Sequence, residues 1–336
     1  RGLVARGMRV TVVTSSATTE ADFWLGTTAA SDTVEDGVRV VRRPVRPTRG
    51  GRRGLLLWRK AMVLLSALPG DQTGWLTNMA RRVPDIDGLD EALAELPDVD
   101  LVHAFNVSWE RGLTAAHAYC QRTKTPFFAT PFMHLGEEHG DRVSRNSTMN
   151  HQMHLMRQAG RVLVLTRIEA EGLARYLYRP ENTIVIGGGV DAPPEDFTDS
   201  PYYAADHHEA RGRGRDVSLL FVGSTTPEFE RHRRRLSPED RAAIRPLGPL
   251  SDRDKHAVLS RANFLLLPSR TDSFGIVLLE AWSHGVPVIA ARAGGIYTTH
   301  TRDRAEPALV AIEEAIRTAE RAEAVLQISH ITPRSG

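Results

Sequence analysis

The sequence predicts a soluble α/β protein with two domains, each built on a largely parallel sheet. Short apolar runs that suit buried strands alternate with longer helical patterns, and glycine or proline marks most of the changes between them. The length of 336 residues is sufficient for two hydrophobic cores. The hydrophobic content of 41% and the charged content of 25% are those of a soluble globular protein.

Charge and cysteine content narrow the classes of function. A net charge of +2 argues against a dedicated nucleic-acid-binding protein. The single cysteine, Cys120, excludes an internal disulfide and fits a reducing compartment. It falls among apolar residues of a predicted helix, which indicates a core position rather than a nucleophile. Because the sequence shows no signal peptide and no apolar run of about 18 residues, we expect a cytoplasmic protein.

The first domain is predicted to span residues 1–187. Its strands are expected at 9–14, 38–42, 99–105, 127–130, 162–165 and 183–186. Its helices are expected at 54–68, 88–97 and 166–178, with a further one that begins at 106–110. This alternation is typical of a doubly wound sheet with helices on both faces.

The stretch 42–68 of this domain is basic at first and then apolar. Its first part holds eight cations, namely Arg42, Arg43, Arg46, Arg49, Arg52, Arg53, Arg59 and Lys60. Residues 54–68 suit an amphipathic helix. One interpretation is docking on an anionic membrane leaflet, where each surface cation contributes about 1 kcal/mol. The other is a helix that packs on its own domain beside a solvated basic loop, and the sequence leaves both open.

The second half of the chain is predicted to hold a hinge and linker at 188–216, a domain at 217–304, and a helix with a tail at 305–336. The strands of the domain are expected at 217–222, 244–247, 263–267 and 287–291. Helices are expected at 252–262, 276–284 and 306–326. The glycines at 187–189 permit a tight turn close to a ligand at the hinge.

Residues 261–296 carry the clearest functional signal. The apolar run Phe264–Leu267 is stopped by Pro268 and predicts a buried parallel strand. Asp272 and Ser273 are helix-capping types, and the residues that follow form a helical pattern. A helix that begins at the carboxyl end of a parallel strand offers unpaired N–H groups and a positive dipole end. The pattern therefore predicts a phosphate site.

Two carboxylates flank this predicted phosphate site. Asp272 lies in the loop, and Glu280 lies eight residues later in the helix. Because helical side chains lean toward the N-terminus, Glu280 can reach back over the same pocket. Two carboxylates repel a phosphate but accept hydrogen bonds from sugar hydroxyls. The combination of a phosphate site and two acids therefore favours a nucleotide sugar as the ligand.

With these residues the stretch resembles the acid-x7-acid signature of retaining GT-B glycosyltransferases, family 4 in particular, although Asp272 stands where the family usually has Glu. The resemblance implies two Rossmann-like domains that face a cleft. It implies that the first acid contacts the donor sugar and that Glu280 contacts the ribose. Further donor contacts are assigned to the helix start and to two other loops, at Ser273, Phe274, Gly275, Ile276, Gly223 and Leu250.

The resemblance also assigns residues in the first domain. His134 follows the strand 127–130, where α/β sheets place ligands, and it matches a family histidine that faces the donor sugar. His103 ends the strand 99–105 and Asn106 begins the following helix near the carboxyl edge of the sheet, and both are expected to line the acceptor side. The loop after His134 holds several acids and histidines but lacks the spacing of a metal site, so no metal is assigned.

The sequence departs from the family pattern at two places. Family members have a strand and a glycine-rich loop before the helix end seen at residues 1–7, and that first strand is central in the sheet. After the strand 217–222 they carry an Arg and a Lys that hold the diphosphate, whereas residues 223–227 contain no cation. Four strands are predicted in the second domain where the family has six. We therefore expect a fragment or degenerate copy that lacks the first strand and part of the second domain.

These observations lead to one prediction and two alternatives. The predicted reaction moves a sugar from a nucleoside diphosphate to an acceptor hydroxyl with retained configuration and without a cofactor. The acceptor is a glycan, a lipid or a small molecule, and residues 42–68 would place the enzyme at the inner membrane face.

The absence of a cation at residues 223–227 favours an alternative without turnover. Removing one charge-stabilising donor typically costs about 100- to 1,000-fold in rate. A relative that binds nucleotide sugar without turnover is therefore the first alternative, unless the arginines at 231–235 replace the lost cations. An epimerase of the same architecture is the second.

Overall fold

The structure is a computed structural model that describes residues 2–19, 21–26, 28–134, 142–177, 180–204, 216–269, 272–290 and 321–327. The chain divides into two compact units. Unit 1 is Arg1–Ile186 and unit 2 is Gly187–Gly336.

Unit 1 is an α/β unit, as the sequence predicts. Its strands are β1 (Thr11–Ser15), β2 (Ser31–Glu35), β3 (Val38–Arg43), β4 (Val102–Phe105), β5 (Phe127–Thr130), β6 (Arg161–Val164) and β7 (Thr183–Val185). Its helices are α1 (Asp22–Leu25), α2 (Gly51–Ser66), α3 (Thr73–Ala80), α4 (Leu89–Ala94), α5 (Glu110–Thr123), α6 (Arg142–Arg145), α7 (Asn150–Gln158) and α8 (Arg167–Ala174).

The strands of unit 1 form two sheets rather than one. The first has the order β1-β3-β2, and the second has the order β4-β5-β6-β7. Within the described residues, β1 pairs only with β3 and β4 pairs only with β5. A single hydrophobic core nevertheless includes both sheets, because Val13 of β1 packs against the cluster that contains Ala129 and Val162. The described strands of unit 1 therefore share one core although they do not form one continuous sheet.

Helix α2 begins earlier than the sequence predicts. The expected loop extends to residue 54, whereas the helix starts at Gly51. A Cβ on Gly54 would lie 1.9 Å from the carbonyl oxygen of Arg49, so the preceding loop can fold this closely onto the first turn only because Gly54 has no side chain. On the inner face of α2, Leu55 and Met62 are buried with Leu76 of α3.

A buried charged cluster joins α2, α5 and α7. Glu110 accepts hydrogen bonds from Arg59 at 3.1 Å and from Gln152 at 2.7 Å. His151 Nε2 lies 3.3 Å from Glu110 Oε2, but the angles do not form a hydrogen bond, and both atoms remain without a hydrogen-bond partner. Glu110 is 1% exposed and His151 is fully buried. Removing one member of such a buried cluster is strongly destabilising, because it leaves the other charges uncompensated.

Helix α5 also carries the single thiol of the chain. Cys120 is buried in the core of unit 1, as predicted. Burial raises the pKa of Cys120 to about 11. The thiol is therefore protonated at neutral pH and is no nucleophile.

Unit 2 is built on a sheet of five parallel strands in the order β11-β10-β12-β8-β9. These strands are β8 (Asp216–Val222), β9 (Ile244–Gly248), β10 (Phe264–Leu267), β11 (Val288–Ala290) and β12 (Arg321–Gln327). Its helices are α9 (Pro201–Ala204), α10 (Pro227–Arg233), α11 (Pro238–Ala242), α12 (Asp252–Arg261) and α13 (Ile276–Ser283).

Strand β12 corrects two predictions. The sequence predicts a helix at 306–326 and four strands in this domain, but residues 321–327 form a fifth strand between β10 and β8. The earlier part of the predicted helix lies outside the described residues. The Ala- and Glu-rich segment has helical propensity, but pairing with a strand on each side overrides that weak preference.

Candidate functional site

The predicted strand, loop and helix at 261–296 are present in unit 2 up to residue 290. Strand β10 ends at Leu267, and α13 begins at Ile276 after a loop. Gly275 has a φ of 73°, a left-handed conformation that suits glycine at this turn. The helix therefore begins at the carboxyl end of a parallel strand, where its amide end can receive an anion.

Asp272 caps the turn that leads into α13. Its Oδ1 accepts hydrogen bonds from the backbone N–H of Phe274 at 3.1 Å and of Gly275 at 2.8 Å. These are two of the amides that the resemblance assigns to the diphosphate. A diphosphate that uses them must compete with this carboxylate or share its donors.

Glu280 is held by a lysine that the sequence analysis did not select. Lys255 Nζ on α12 donates to Glu280 Oε1 at 2.8 Å and to Asp252 Oδ1 at 2.9 Å. The side chains of Lys255 and Glu280 are 16% and 14% exposed, so neither is turned to bulk water. Burial disfavours the charged lysine, but its hydrogen bonds to Glu280 and Asp252 outweigh this and raise its pKa. The cation therefore stays charged and fixes the carboxylate.

Two histidines lie behind this pair at the contact of α12 with the end of α13. His256 Nδ1 and His284 Nε2 are 2.8 Å apart. Burial lowers the pKa of both rings, and the neighbouring Lys255 lowers that of His256 further. Both rings are therefore neutral near pH 7. One of these two nitrogens carries a proton and donates a hydrogen bond to the other.

One of the hinge glycines, Gly188, packs directly on the site loop within unit 2. A Cβ on Gly188 would lie 2.2 Å from the ring of Phe274, which is itself only 3% exposed. A Cβ on Gly189 would have no heavy atom within 4 Å. The prediction of a close approach at this turn thus applies to Gly188, and the group it approaches is the ring of Phe274.

The resemblance assigns two other loops to the donor, one after β8 and one after β9, and these loops begin next to each other. The Gly223 N–H donates to the Gly248 carbonyl at 2.9 Å, which joins the ends of β8 and β9. Leu250 is half-buried and packs on the core of unit 2.

The arginines near β8 lie on the helix that follows the cation-free loop. Arg231 and Arg233 are in the last turn of α10, and each faces a glutamate three residues earlier, at 3.8 Å and 3.1 Å. They lie at the end of α10 away from the carboxyl edge of β8. This placement favours the interpretation as a solvated helix face over that of a replacement clamp.

In unit 1, Asn106 directly follows the carboxyl end of β4, whereas His103 is the second of its four residues and does not end the strand as predicted. His103 Nε2 is 2.8 Å from the hydroxyl oxygen of Thr130, and burial lowers the pKa of the ring, so His103 is neutral. Asn106 has a φ of 70°, and its side-chain oxygen accepts a hydrogen bond from the Ser108 N–H at 2.9 Å. Phe105 is 52% exposed, and its ring lies tilted against that of His103 with centroids 4.1 Å apart, which leaves an apolar face at this edge.

His134 ends the described part of the segment after β5 and is half-buried. The segment is fixed by Glu169 of α8, which accepts hydrogen bonds from the N–H groups of Met133 at 2.7 Å and Leu165 at 3.0 Å. Burial raises the pKa of this carboxylate. Phe132 has a φ of 49°, an uncommon value for a bulky residue. Glu169 had no functional signal in the sequence, where it resembles an ordinary helix-capping glutamate.

The described residues contain neither a cluster of metal-ligating side chains nor a helix that could span a membrane. Across the described ranges, no three His, Cys, Asp or Glu side chains come together as a metal site, while the acids of the loop after His134 lie outside these ranges. No described helix combines the length and apolarity needed to cross a bilayer.

Two family models match the chain. The model described as "Glycosyl transferase 4-like domain" matches residues 1–189, and the model described as "Glycosyl transferases group 1" matches residues 181–328. The first match covers more than half of the 336 residues.

Curated relatives match over shorter stretches. A D-inositol 3-phosphate glycosyltransferase of Corynebacterium glutamicum is 42% identical over 92 residues, which are 26% of this chain and 22% of that protein. The matches span about a quarter of the length of the first curated relatives.

Solved structures match over most of the chain. The sucrose-phosphate synthase of Thermosynechococcus elongatus has a TM-score of 0.58 at 15% identity and covers 94% of this chain and 82% of its own. A UDP-forming α,α-trehalose-phosphate synthase from Burkholderia xenovorans, in complex with glucose-6-phosphate, has a TM-score of 0.58 at 13% identity and covers 94% of each chain. At these identities the likeness shows the fold alone, which is the GT-B fold predicted from the sequence.

Proposed function

The chain belongs to the glycosyl transferase 4-like family, and from this membership we propose that it transfers a sugar from a nucleoside-diphosphate sugar to an acceptor hydroxyl. We propose that the configuration at the sugar carbon is retained. The observation that carries the proposal is the start of α13, where Asp272 and Glu280 accompany an amide end at the carboxyl edge of a parallel sheet.

Each group of unit 2 has a role in this proposal. The amide end of α13 binds the diphosphate, and its dipole stabilises the charge that develops as the glycosidic bond breaks. Glu280 accepts hydrogen bonds from the ribose hydroxyls, and Lys255 fixes one of its oxygens so that the other can face the ligand. Asp272 exchanges its contacts with the backbone for contacts with the donor sugar. The loop at Leu250 holds the base.

Unit 1 supplies the remaining groups. We assign His134 to the donor sugar, and we assign His103 and Asn106 to the acceptor side. The sequence shows no clear nucleophile for a covalent intermediate, which supports displacement on one face of the sugar. We propose that the reaction uses neither a metal nor a cofactor. For the location, we propose the cytoplasm, at the inner face of the membrane.

The test is the release of nucleoside diphosphate from UDP-, GDP- and ADP-sugars in the presence of glycan, lipid and small-molecule acceptors. UDP-sugars are the first choice because the trehalose-phosphate synthase neighbour is described as UDP-forming. Product should form with the native chain and disappear in Glu280→Ala and His134→Ala. Glu239→Ala on α11 removes an exposed acid of the same unit and should leave the rate unchanged.

A relative that binds a nucleotide sugar without turnover is the second candidate. The cation-free loop after β8 and the position of Arg231 and Arg233 favour it. Its mark is an increase in melting temperature with nucleotide and no product from any donor. If Glu280→Ala abolishes that increase while the native chain stays inactive, this candidate replaces the transferase.

A further inference from the structure

One exposed surface of unit 1 has no role in the proposed transfer, and we infer that it docks on an anionic phospholipid bilayer. The surface, called the α2 stripe below, consists of Leu57, Leu64, Leu68 and Trp75, which are 66%, 70%, 56% and 78% exposed. The inference rests on the proposed function for its location at the inner membrane face, but it does not depend on the reaction itself.

The α2 stripe follows from the spacing of its residues. Leu57 and Leu64 are separated by seven residues, so the helical repeat places them on one face of α2, and Leu68 follows just after the helix ends. The opposite face of α2 is the one that folding requires, because Leu55 and Met62 are 4% and 0% exposed there. Helix α2 is thus apolar on two faces, and packing within unit 1 accounts for only one.

Trp75 extends the stripe beyond α2. It lies in the first turn of α3, which packs on α2 and follows it after a connection of six residues, 67–72. Exposed apolar side chains that stand alone are ordinary, but Leu57 and Leu64 share one face of α2, and Trp75 adds an exposed ring on the helix packed beside it. Tryptophan in addition prefers the interface between the acyl chains and the headgroups of a bilayer.

Charge selects an anionic lipid surface rather than a protein or a nucleic acid. The chain has no Asp or Glu from Gly37 to Gly70. Arg49, Arg53 and Lys60 are exposed beside the stripe, and none of the three takes part in an ion pair within the described part of the chain. Asp71 follows this stretch in the connection to α3, so the absence of acids applies to α2 and not to Trp75. Exposed leucines flanked by cations on one helix are typical of helices that lie in a membrane interface.

Several arginine guanidinium groups lie beside the same helix. A cavity of about 360 Å³ is lined by Trp58 of α2 together with Arg81, Arg82 and Arg111. Arg82 stacks over the Trp58 ring at 5.5 Å. Asp85 also lines the cavity, and Asp90 pairs with Arg111 at 3.0 Å, so only part of this charge is open to a headgroup phosphate. The cavity adds to the charge complementarity and does not carry the inference alone.

The experiment is sedimentation of the full chain with vesicles of phosphatidylglycerol and phosphatidylcholine, without nucleotide, against vesicles of phosphatidylcholine alone. The native chain should bind the anionic vesicles and should be released by high salt, since exposed charges are screened beyond about 10 Å at 0.1 M salt. Leu57→Ser with Leu64→Ser should lower the partition coefficient by about tenfold or more. Arg53→Gln with Lys60→Gln should lower it by about 25-fold.

Matched controls use exposed residues elsewhere in the chain. Val34→Ser with Leu101→Ser removes exposed apolar side chains of unit 1, and Arg234→Gln with Arg235→Gln removes cations near α10. Both pairs should bind vesicles as the native chain does. Brominated acyl chains should quench the native fluorescence more than that of Trp75→Phe, which locates the stripe in the bilayer.

Three outcomes would overturn the inference. They are no binding to anionic vesicles at low salt, equal loss in the control and stripe variants, or a native dimer that Leu57→Ser with Leu64→Ser converts to a monomer. The last outcome would make the stripe an interface between copies of the chain. Release of nucleoside diphosphate by the stripe variants without vesicles separates these failures from a failure of the proposed reaction.

Discussion

The two units hold charged clusters of similar composition, and burial separates their roles. In unit 1, the side chains of Arg59 and Glu110 are 14% and 1% exposed, and the carboxylate bonds to groups within the fold. In unit 2, the side chains of Lys255 and Glu280 are 16% and 14% exposed and lie at the carboxyl edge of a sheet. We therefore expect the same carboxylate–cation chemistry to specify packing where the acid is sealed and, under the proposed function, to prepare a binding site where a ligand can reach it.

Breaking the sealed cluster should have the largest effect. Glu110→Ala leaves the charge of Arg59 without its carboxylate and should lower the free energy of unfolding of unit 1 by about 3–5 kcal/mol. Urea unfolding followed by hydrogen exchange in β5 and β6 measures this. Glu171→Ala, an exposed acid on α8, should change it by less than about 0.5 kcal/mol. Equal losses in the two variants would contradict the contrast drawn here.

The second-largest effect is expected at Asp272, where variants can test the capping hydrogen bonds and the negative charge separately. Asn caps a helix start as well as Asp does, so Asp272→Asn should keep the melting temperature. It removes the charge near the donor sugar, and the rate of transfer should fall by about 100-fold. Asp272→Ala should lose both the cap and the rate. If the Asn variant transfers at the native rate, Asp272 acts only as a cap.

The contact of Gly188 with Phe274 offers a matched pair of variants. A methyl group on Gly188 pushes the ring and with it the amides of Phe274 and Gly275, so Gly188→Ala should weaken UDP binding by about 10- to 100-fold. Gly189→Ala meets no neighbour and should bind as the native chain does. Calorimetric titration with UDP distinguishes them. Equal affinities would mean that the turn does not position the site loop.

Lys255 should act through Glu280. Lys255→Met leaves the carboxylate without its partner and should raise the dissociation constant for UDP by about tenfold, whereas Lys255→Arg should keep most of the affinity. The loss in the Met variant should vanish when Glu280 is already replaced by Ala, because the interaction is shared. Additive losses in that double-mutant cycle would assign Lys255 a direct contact with the nucleotide instead.

The smallest effect is a dependence of stability on pH. Burial lowers the pKa of His256 and His284 below 6.5, so the unfolded chain takes up protons first as the pH falls. The stability of unit 2 should therefore be complete above about pH 6.5 and decrease below it. The melting temperature of His284→Gln should show a smaller decrease over the same range. An identical decrease in both proteins would exclude the pair as its cause.

The sequence predicted the elements that local patterns define. The run Phe264–Leu267 forms the strand as predicted, and the following helix ends one residue earlier than predicted. It did not predict Lys255 as the partner of Glu280, because the two residues lie 25 positions apart and no local spacing connects them. For the same reason it missed the strand at 321–327, whose helical propensity is overridden by two distant strands. Patterns within one helix or strand can be read from the sequence, whereas contacts between elements require the fold.

Membership of the family could also be predicted, because the acid pair and its strand–helix context occupy one continuous segment. The bonds of Asp272 to the Phe274 and Gly275 amides could not be predicted from the motif alone. A glutamate at that position has a longer side chain, and the family pattern describes the position without the geometry of the shorter acid. The sequence shows that Asp272 stands where the family usually has Glu. The effect of this change on the hydrogen bonds depends on the geometry of the turn, which the sequence does not show.

The buried thiol of α5 has a practical consequence. Because Cys120 is the single cysteine and burial raises its pKa to about 11, the folded chain should react slowly with maleimides at neutral pH. A cysteine introduced on the surface of each unit would then accept a fluorophore selectively, with no need to remove the native residue. Distances between two such dyes, measured on single molecules with and without UDP, would test whether the units move when UDP is added.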